Sequence, residues 1–111
     1  MPLKSYILSG TAKAGSQWTQ LDTLMTPTGK KRKFIEARVY CSQTSGVRMR
    51  LNVETEVIHE FASEVVNSVK YPYPMDLELS EGQRLILEAM NAGASDADII
   101  IEVICEEARG R

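Results

Sequence analysis

Apolar and polar residues alternate along much of the chain with a period of two. The alternation is clearest over residues 30–41, 47–54, 84–90 and 99–105, and short runs rich in glycine, proline, asparagine and serine separate these segments. A period of two places alternate side chains on opposite faces of a β-strand. The pattern therefore predicts a series of short strands joined by tight connections.

The last third of the chain, residues 75–107, shows this pattern most clearly. Three strands are predicted there, with a turn at Glu81 and Gly82 and a polar hairpin connection over residues 91–98. The inward face of the last two strands is expected to comprise Leu85, Leu87, Ala89, Ile99, Ile101, Val103 and Cys105. The same alternation leaves four large apolar residues on the outward face: Ile86, Met90, Ile100 and Ile104.

The strand over residues 30–41 is expected to direct Ile35 and Ala37 to one face and Phe34 to the opposite face. Residues 42–46 have the length and composition of a hairpin connection. We therefore expect this strand and the strand over residues 47–54 to form a hairpin.

The remaining segments have weaker patterns. Short strands are predicted over residues 3–13 and 18–25, with Trp18 as a core side chain. Residues 55–69 fit two structures, because their apolar residues also recur at helical spacing. The frequent β-branched residues favour a strand near residues 56–61, then a turn or loop and a return.

About eight strands, frequent turns and no firmly periodic helix predict an all-β fold. We expect an antiparallel β-sandwich of jelly-roll or Greek-key type. The 111 residues have the size of one domain, so a single domain over 1–111 is expected, with a flexible charged tail over 106–111.

Charge and composition narrow the classes of function. Thirteen Lys and Arg residues against fifteen Asp and Glu residues leave a net charge of −2, so nucleic acid and anionic membranes are not expected partners. No apolar run is long enough to span a bilayer, and the first residues lack the apolar centre of a signal peptide. Cytoplasmic assembly and buried, unpaired thiols at Cys41 and Cys105 are therefore expected.

No motif carries enzymatic chemistry. His59 is the only histidine and has no ligand or nucleophile at a recognised spacing. The acidic residues Asp96, Asp98 and Glu102 do not match a calcium-binding loop. We therefore predict that the protein is not an enzyme and binds no metal or cofactor.

Two groups of residues suggest an alternative role in ligand binding. Arg38, Arg48 and Arg50 are expected to face outward on neighbouring strands, near a basic run over residues 30–33, where they would attract an anionic ligand. Tyr71 and Tyr73 alternate with prolines and are suited to stacking on a sugar ring. The alternative hypothesis is thus a carbohydrate-binding or anion-binding β-sandwich.

The outward residues Ile86, Met90, Ile100 and Ile104 favour a different role. Burying a large aliphatic side chain is worth roughly 1.5–3 kcal/mol, so four such residues on one exposed surface would form an adhesive patch. We therefore predict self-association through this surface as a symmetric homo-oligomer, with a closed trimer favoured.

The order of segments over residues 30–107 also resembles a known group of proteins. The segments are Arg32-Lys-Phe-Ile-Glu-Ala-Arg-Val-Tyr, Val47-Arg-Met-Arg-Leu, Pro74-Met-Asp-Leu-Glu-Leu-Ser-Glu-Gly-Gln and Ala89-Met-Asn-Ala-Gly-Ala-Ser-Asp-Ala-Asp. Their succession is similar to that of small jelly-roll virion proteins, such as head decoration or capsid-associated proteins of tailed viruses. The resemblance implies a structural role in which copies bind one another and a capsid or larger assembly.

Overall fold

The computed structural model describes residues 3–66 and 73–109. In chain order its elements are β1 (Leu3–Ala12), β2 (Ser16–Met25), β3 (Lys30–Cys41), β4 (Val47–Val53), β5 (Glu56–Ala62), α1 (Ser63–Val66), β6 (Tyr73–Leu79), β7 (Arg84–Asn91) and β8 (Ala97–Arg109). The strands form two four-stranded sheets, sheet 1 in the order β1-β8-β3-β6 and sheet 2 in the order β2-β7-β4-β5. All pairings are antiparallel. The predicted antiparallel β-sandwich of about eight strands is confirmed.

The strand pairs are nested along the chain. β1 pairs with β8, β2 with β7, β3 with β6 and β4 with β5. Among the described strands, only β4 and β5 are consecutive neighbours in one sheet, and Glu54 in their turn has a φ of 55°. The hairpins predicted over residues 42–46 and 91–98 are therefore wrong, because both connections cross between the sheets. Alternation within a strand carries no information about which sheet the strand joins.

The core lies between the facing surfaces of the two sheets. The predicted inward residues of β7 and β8 are all 0% exposed: Leu85, Leu87, Ala89, Ile99, Ile101, Val103 and Cys105. The two strands belong to different sheets, so these residues line opposite walls of the core instead of forming one continuous sheet surface. The prediction of the inward residues is correct, although the predicted pairing of the strands is not.

β3 reverses the direction of its side chains at a bulge. Its register with both neighbouring strands shifts between Phe34 and Glu36. Phe34 before the shift and Ala37 after it are both fully buried, whereas Ile35 is half-buried. The extra residue inverts the alternation. The prediction that Phe34 and Ala37 lie on opposite faces is therefore wrong, because both side chains are in the core.

Trp18 lies outside the core. Its indole is half-buried, and the guanidinium carbon of Arg50 lies 4.0 Å from the centre of its ring. A cation over an indole face is an attractive contact that also shields the ring from water. The contact with Arg50 thus replaces the predicted core position of Trp18.

The predictions for the segment after β4 and for the end of β8 have different outcomes. β5 confirms the strand expected near residues 56–61, and α1 follows it as a single short turn. The expected return falls on residues 67–72, which lie outside the described residues. β8 continues to Arg109 and pairs with β3 up to Lys30, so residues 106–109 form strand where the sequence predicts a tail.

Candidate functional site

The structure does not bring the four predicted interface residues together. Ile86 and Met90 lie on the outer face of sheet 2, whereas Ile100 and Ile104 lie on the outer face of sheet 1, on the opposite side of the sandwich. Ile86 is also buried, with 6% of its surface exposed. The prediction of one patch on a hairpin is wrong because β7 and β8 are not neighbours in a sheet.

Instead, sheet 1 gathers apolar side chains from three adjacent strands on its outer face. Three of them are large and well exposed on β1 and β8: Leu3 at 58%, Ile7 at 62% and Ile100 at 43%. Tyr40 on β3 is 52% exposed and lies opposite Ile100. Ile104 is half-buried. We call Leu3, Ile7, Tyr40, Ile100 and Ile104 the outer apolar face.

The strand register makes several of these side chains diagonal neighbours, with Glu102 and Arg38 between Ile100 and Ile104. Ser5 pairs with Ile104 and Ser9 with Ile100, so Ile7 between them is diagonal to both isoleucines. Diagonal neighbours on one face of an antiparallel pair lie within reach of long side chains. Ile100 and Ile104 were recognised in the sequence, but the contributions of β1 and β3 depend on pairings that connect distant segments.

Charges on this face are paired. Arg38 Nε lies 3.9 Å from Glu36 Oε2, and Arg38 Nη1 lies 3.9 Å from Glu102 Oε1. All three side chains are at least partly exposed, so each contact contributes little to stability. One arginine thus partly offsets two carboxylates on this face.

The arginines do not form the predicted basic surface. Arg38 lies on the outer face of sheet 1, and Arg48 and Arg50 lie on the outer face of sheet 2. Arg48 is bonded to Glu60, and Arg50 Nε donates to Glu88 Oε1 at 2.8 Å. Arg38 is therefore separated from Arg48 and Arg50, because β3 and β4 belong to different sheets, and all three cations have acidic partners.

The predicted tyrosine platform is only partly within the described structure. Tyr71 lies outside the described residues. Tyr73 begins β6, is half-buried, and contacts Phe61 in an edge-on arrangement with 4.9 Å between ring centres. The described part of the segment thus packs an aromatic ring against the sandwich.

A buried polar cluster that sequence reasoning missed closes one end of the sandwich. The side chains of Arg32 and Glu107 are 6% and 7% exposed, and Arg32 Nε donates to Glu107 Oε2 at 2.8 Å. The hydroxyl of Tyr6 donates to the same oxygen at 2.7 Å, and the Arg32 guanidinium lies 4.2 Å from the centre of the Tyr6 ring. Arg32 Nη1 also donates to the carbonyl of Met25 at 3.0 Å. The cluster thus links β1, β3 and β8 of sheet 1 to the end of β2 in sheet 2.

These contacts favour the ionised form of Glu107. Hydrogen bonds from Arg32 and then Tyr6 lower the pKa of the Glu107 carboxyl to about 2, with a weaker contribution from Lys4, whose Nζ lies 3.3 Å from Oε1. Burial, together with the bond to Glu107, raises the pKa of Tyr6. The sequence placed Arg32 in a basic run and Glu107 in a tail, and only the β3 bulge and the length of β8 direct both side chains inward.

We expect the free energy of unfolding to fall as pH is lowered from about 4.5 towards about 2. Between these pH values the Glu107 carboxyl binds a proton in the unfolded chain but stays ionised in the folded protein. The stabilisation from Glu107 is therefore complete above about pH 4.5 and is lost progressively as the pH falls towards about 2. Urea denaturation at successive pH values measures this slope. Glu107→Gln should flatten it, whereas Glu102→Gln on the outer face should retain it. An equal slope in the Glu107→Gln variant and the wild-type protein would contradict this role.

The residues considered for chemistry in the sequence have structural partners. The rings of His59 and Phe61 are stacked, with 6.0 Å between their centres. Asp96 accepts a hydrogen bond from the backbone N–H of Ala14, and Asp98 accepts one from the Thr11 hydroxyl. Across residues 3–66 and 73–109, no group of three or more His, Cys, Asp and Glu side chains is arranged to hold a metal ion.

Cys41 and Cys105 are buried and unpaired, as expected, and burial raises the pKa of each thiol. Within the described ranges, no helix is long and apolar enough to cross a membrane.

The fold and its surfaces define an antiparallel β-sandwich with an apolar outer face. No protein-family model matches the chain, and no curated protein sequence matches it. The chain is similar to a chain in the acidic stable capsid structure of Helicobacter pylori bacteriophage KHP30, with a TM-score of 0.53 and 16% identity over 95% of this chain and 93% of that one. It is also similar to PliG of Aeromonas hydrophila, a periplasmic inhibitor of g-type lysozyme, with a TM-score of 0.48 and 17% identity over 92% and 86% of the two chains. The virion resemblance is therefore supported at the level of fold.

Proposed function

We propose that this protein is a non-enzymatic structural protein that self-associates through the outer apolar face of sheet 1 and takes part in a larger assembly such as a virus capsid. The observation that carries this proposal is the exposure of Leu3, Ile7, Tyr40 and Ile100 on three adjacent strands. Apolar residues scattered singly over a surface need no explanation, but contiguous ones mark contact surfaces.

The energetics of this face favour a protein partner. Covering a large aliphatic side chain is worth roughly 1.5–3 kcal/mol, and the face carries several that keep much of their surface in water. Arg38 partly offsets the charges of Glu36 and Glu102 on this face, which lowers the cost of bringing a second apolar surface against it. Self-association is thus the simplest means of removing this surface from water.

The fold supports the same role. The nested pairing of β1 with β8, β2 with β7, β3 with β6 and β4 with β5 favours the jelly-roll type predicted from the sequence, an architecture used by viral capsid domains. The similarity to a chain in a phage capsid structure agrees with this reading. The closed trimer remains a prediction. The alternative role in ligand binding is also still a prediction. It is less favoured, because Arg48, Arg50 and Tyr73 already contact side chains of this chain.

We expect the wild-type protein to have a multiple of the monomer mass of 12.4 kDa by light scattering, and the double variant Ile100→Lys with Ile104→Lys to have a lower mass than the wild-type protein. Two lysines would place uncompensated charges in the contact. Val57→Lys is the matched control, because Val57 on β5 is 45% exposed and lies in sheet 2. It should retain the wild-type mass. A monomeric wild-type protein, or an unchanged mass in the double variant with its circular dichroism intact, would refute the proposal.

A further inference from the structure

β1 is an edge strand of sheet 1, and its outward backbone groups can be identified. The backbone N–H of Ser9 donates to Asp22 Oδ2 at 3.0 Å, so this group points away from β8. The β1–β8 register runs without a shift from Leu3 to Ala12. Because backbone groups alternate in direction along an antiparallel strand, the N–H and C=O groups of Leu3, Ser5 and Ile7 also point outward.

The two halves of this edge differ. The later half is covered by β2, since Asp22 binds Ser9 and a Cβ atom at Gly10 would lie only 2.8 Å from Leu21 Cβ. Over the first half, none of the described residues donates to or accepts from the outward groups of Ser5 and Ile7. An unpaired strand edge is a template for another strand, and proteins usually block such edges. In this protein β2 covers the β1 edge only from Ser9 onward.

We propose that two copies of the chain pair antiparallel through residues 3–7 of β1, about a two-fold axis at Ser5. This inference rests on the proposed function, because it assumes self-association, and it adds a contact at the edge of sheet 1 beside the contact through the outer apolar face. Ser5 faces Ser5 of the second copy, and Leu3 faces Ile7 of the second copy. Each of these pairs joins two residues with outward backbone groups, so each exchanges two N–H···O=C hydrogen bonds.

The side chains favour a second copy over an unrelated strand. In this register Leu3 and Ile7, both more than half exposed, become a cross-strand apolar pair on the outer face of the joined sheet. This pair continues the apolar surface formed by Ile100 and Ile104. On the opposite face Lys4 lies across from Tyr6 of the second copy, so no like charges oppose each other directly. The edge is therefore complementary to itself.

A two-fold contact also bears on the expected stoichiometry. An isologous contact gives a dimer or an assembly with an even number of copies, whereas a three-membered ring requires two different surfaces to meet. The β1 contact therefore favours an even number of copies over a simple trimer.

Single cysteines on β1 test the register. Antiparallel residues in a hydrogen-bonded pair have Cα atoms about 5.5 Å apart, within the range that a disulfide spans. Ser5→Cys should therefore give a covalent dimer on mild oxidation, since both native cysteines are buried. Ser9→Cys is the matched control, because it is exposed on the same face of the same strand. The two Ser9 positions would lie about 27 Å apart in the pairing, so this variant should not crosslink.

A proline provides the second test. Ser5→Pro removes an outward N–H without removing a hydrogen bond to β8, and proline is tolerated in edge strands at such positions. By light scattering, Ser5→Pro should lose the β1 contact and halve the mass of the assembly, whereas Ser5→Ala, which keeps the N–H, should retain it.

The outcomes separate this inference from the proposed function. A wild-type protein that is monomeric at every concentration would overturn both. An oligomer whose mass survives Ser5→Pro and which does not crosslink at Ser5→Cys would overturn the β1 contact alone. Crosslinking at Ser9→Cys equal to that at Ser5→Cys would also overturn the register, because it would indicate random collision.

Discussion

Replacing Arg32 with methionine is expected to lower the free energy of unfolding by about 3–5 kcal/mol, because removing one partner of a buried ion pair leaves the other charge without compensation. In this protein the remaining charge is Glu107, with 7% of its side chain exposed. The variant also removes the donor to the Met25 carbonyl, so the tie to β2 is lost. Urea denaturation at neutral pH measures the difference.

Two further variants define the mechanism. Arg38→Met, on the outer face of the same strand, should cost less than about 1 kcal/mol, since exposed ion pairs contribute little. Arg32→Met combined with Glu107→Leu should recover part of the stability, because replacing both partners of a buried pair with apolar groups removes the unpaired charge. If the double variant is less stable than Arg32→Met alone, the unpaired carboxylate is not the cause of the loss.

The second large effect is expected at the β3 bulge. Phe34→Ala should destabilise the protein by about 3–5 kcal/mol, because it removes a large core side chain and leaves a cavity. Phe34 is 0% exposed, whereas the adjacent Ile35 is half-buried. Ile35→Ala should therefore cost less than half as much, since a position open to water does not leave a closed cavity. Thermal or urea denaturation compares the two.

This pair of variants tests the direction of the side chains around the bulge. A strand without a bulge would place Phe34 outward and Ile35 inward, as the simple alternation predicts. A larger loss in Ile35→Ala than in Phe34→Ala would therefore contradict the register shift between Phe34 and Glu36.

Sequence reasoning was most successful for properties that depend on neighbouring residues. The inward faces of β7 and β8 are correct because the direction of a side chain in a regular strand depends only on its position in the alternation. The reasoning failed at Phe34, where one extra residue inverts the alternation and leaves no clear compositional signal. It also failed for hairpins, because a polar connection between strands looks the same whether it turns back in one sheet or crosses to the other.

The candidate surface shows the same division. Ile100 and Ile104 were identified from their outward positions, and they lie on the outer apolar face. Ile86 and Met90 were assigned to the same surface because β7 and β8 are adjacent in sequence, yet the two strands belong to different sheets. Ile7 and Tyr40 were missed because β1 and β3 reach this face only through their pairing with β8.

The sequence by itself determined the all-β class, most strand positions and the residues that face the core in the regular strands, since these follow from local alternation and turn composition. Only the tertiary structure decided which strands are neighbours, where the bulge redirects β3, and how Arg32, Tyr6 and Glu107 meet at one end. The physical reason is that backbone pairing between distant strands uses the same hydrogen bonds at every residue, so the choice of partner depends on how both faces of all eight strands are buried together.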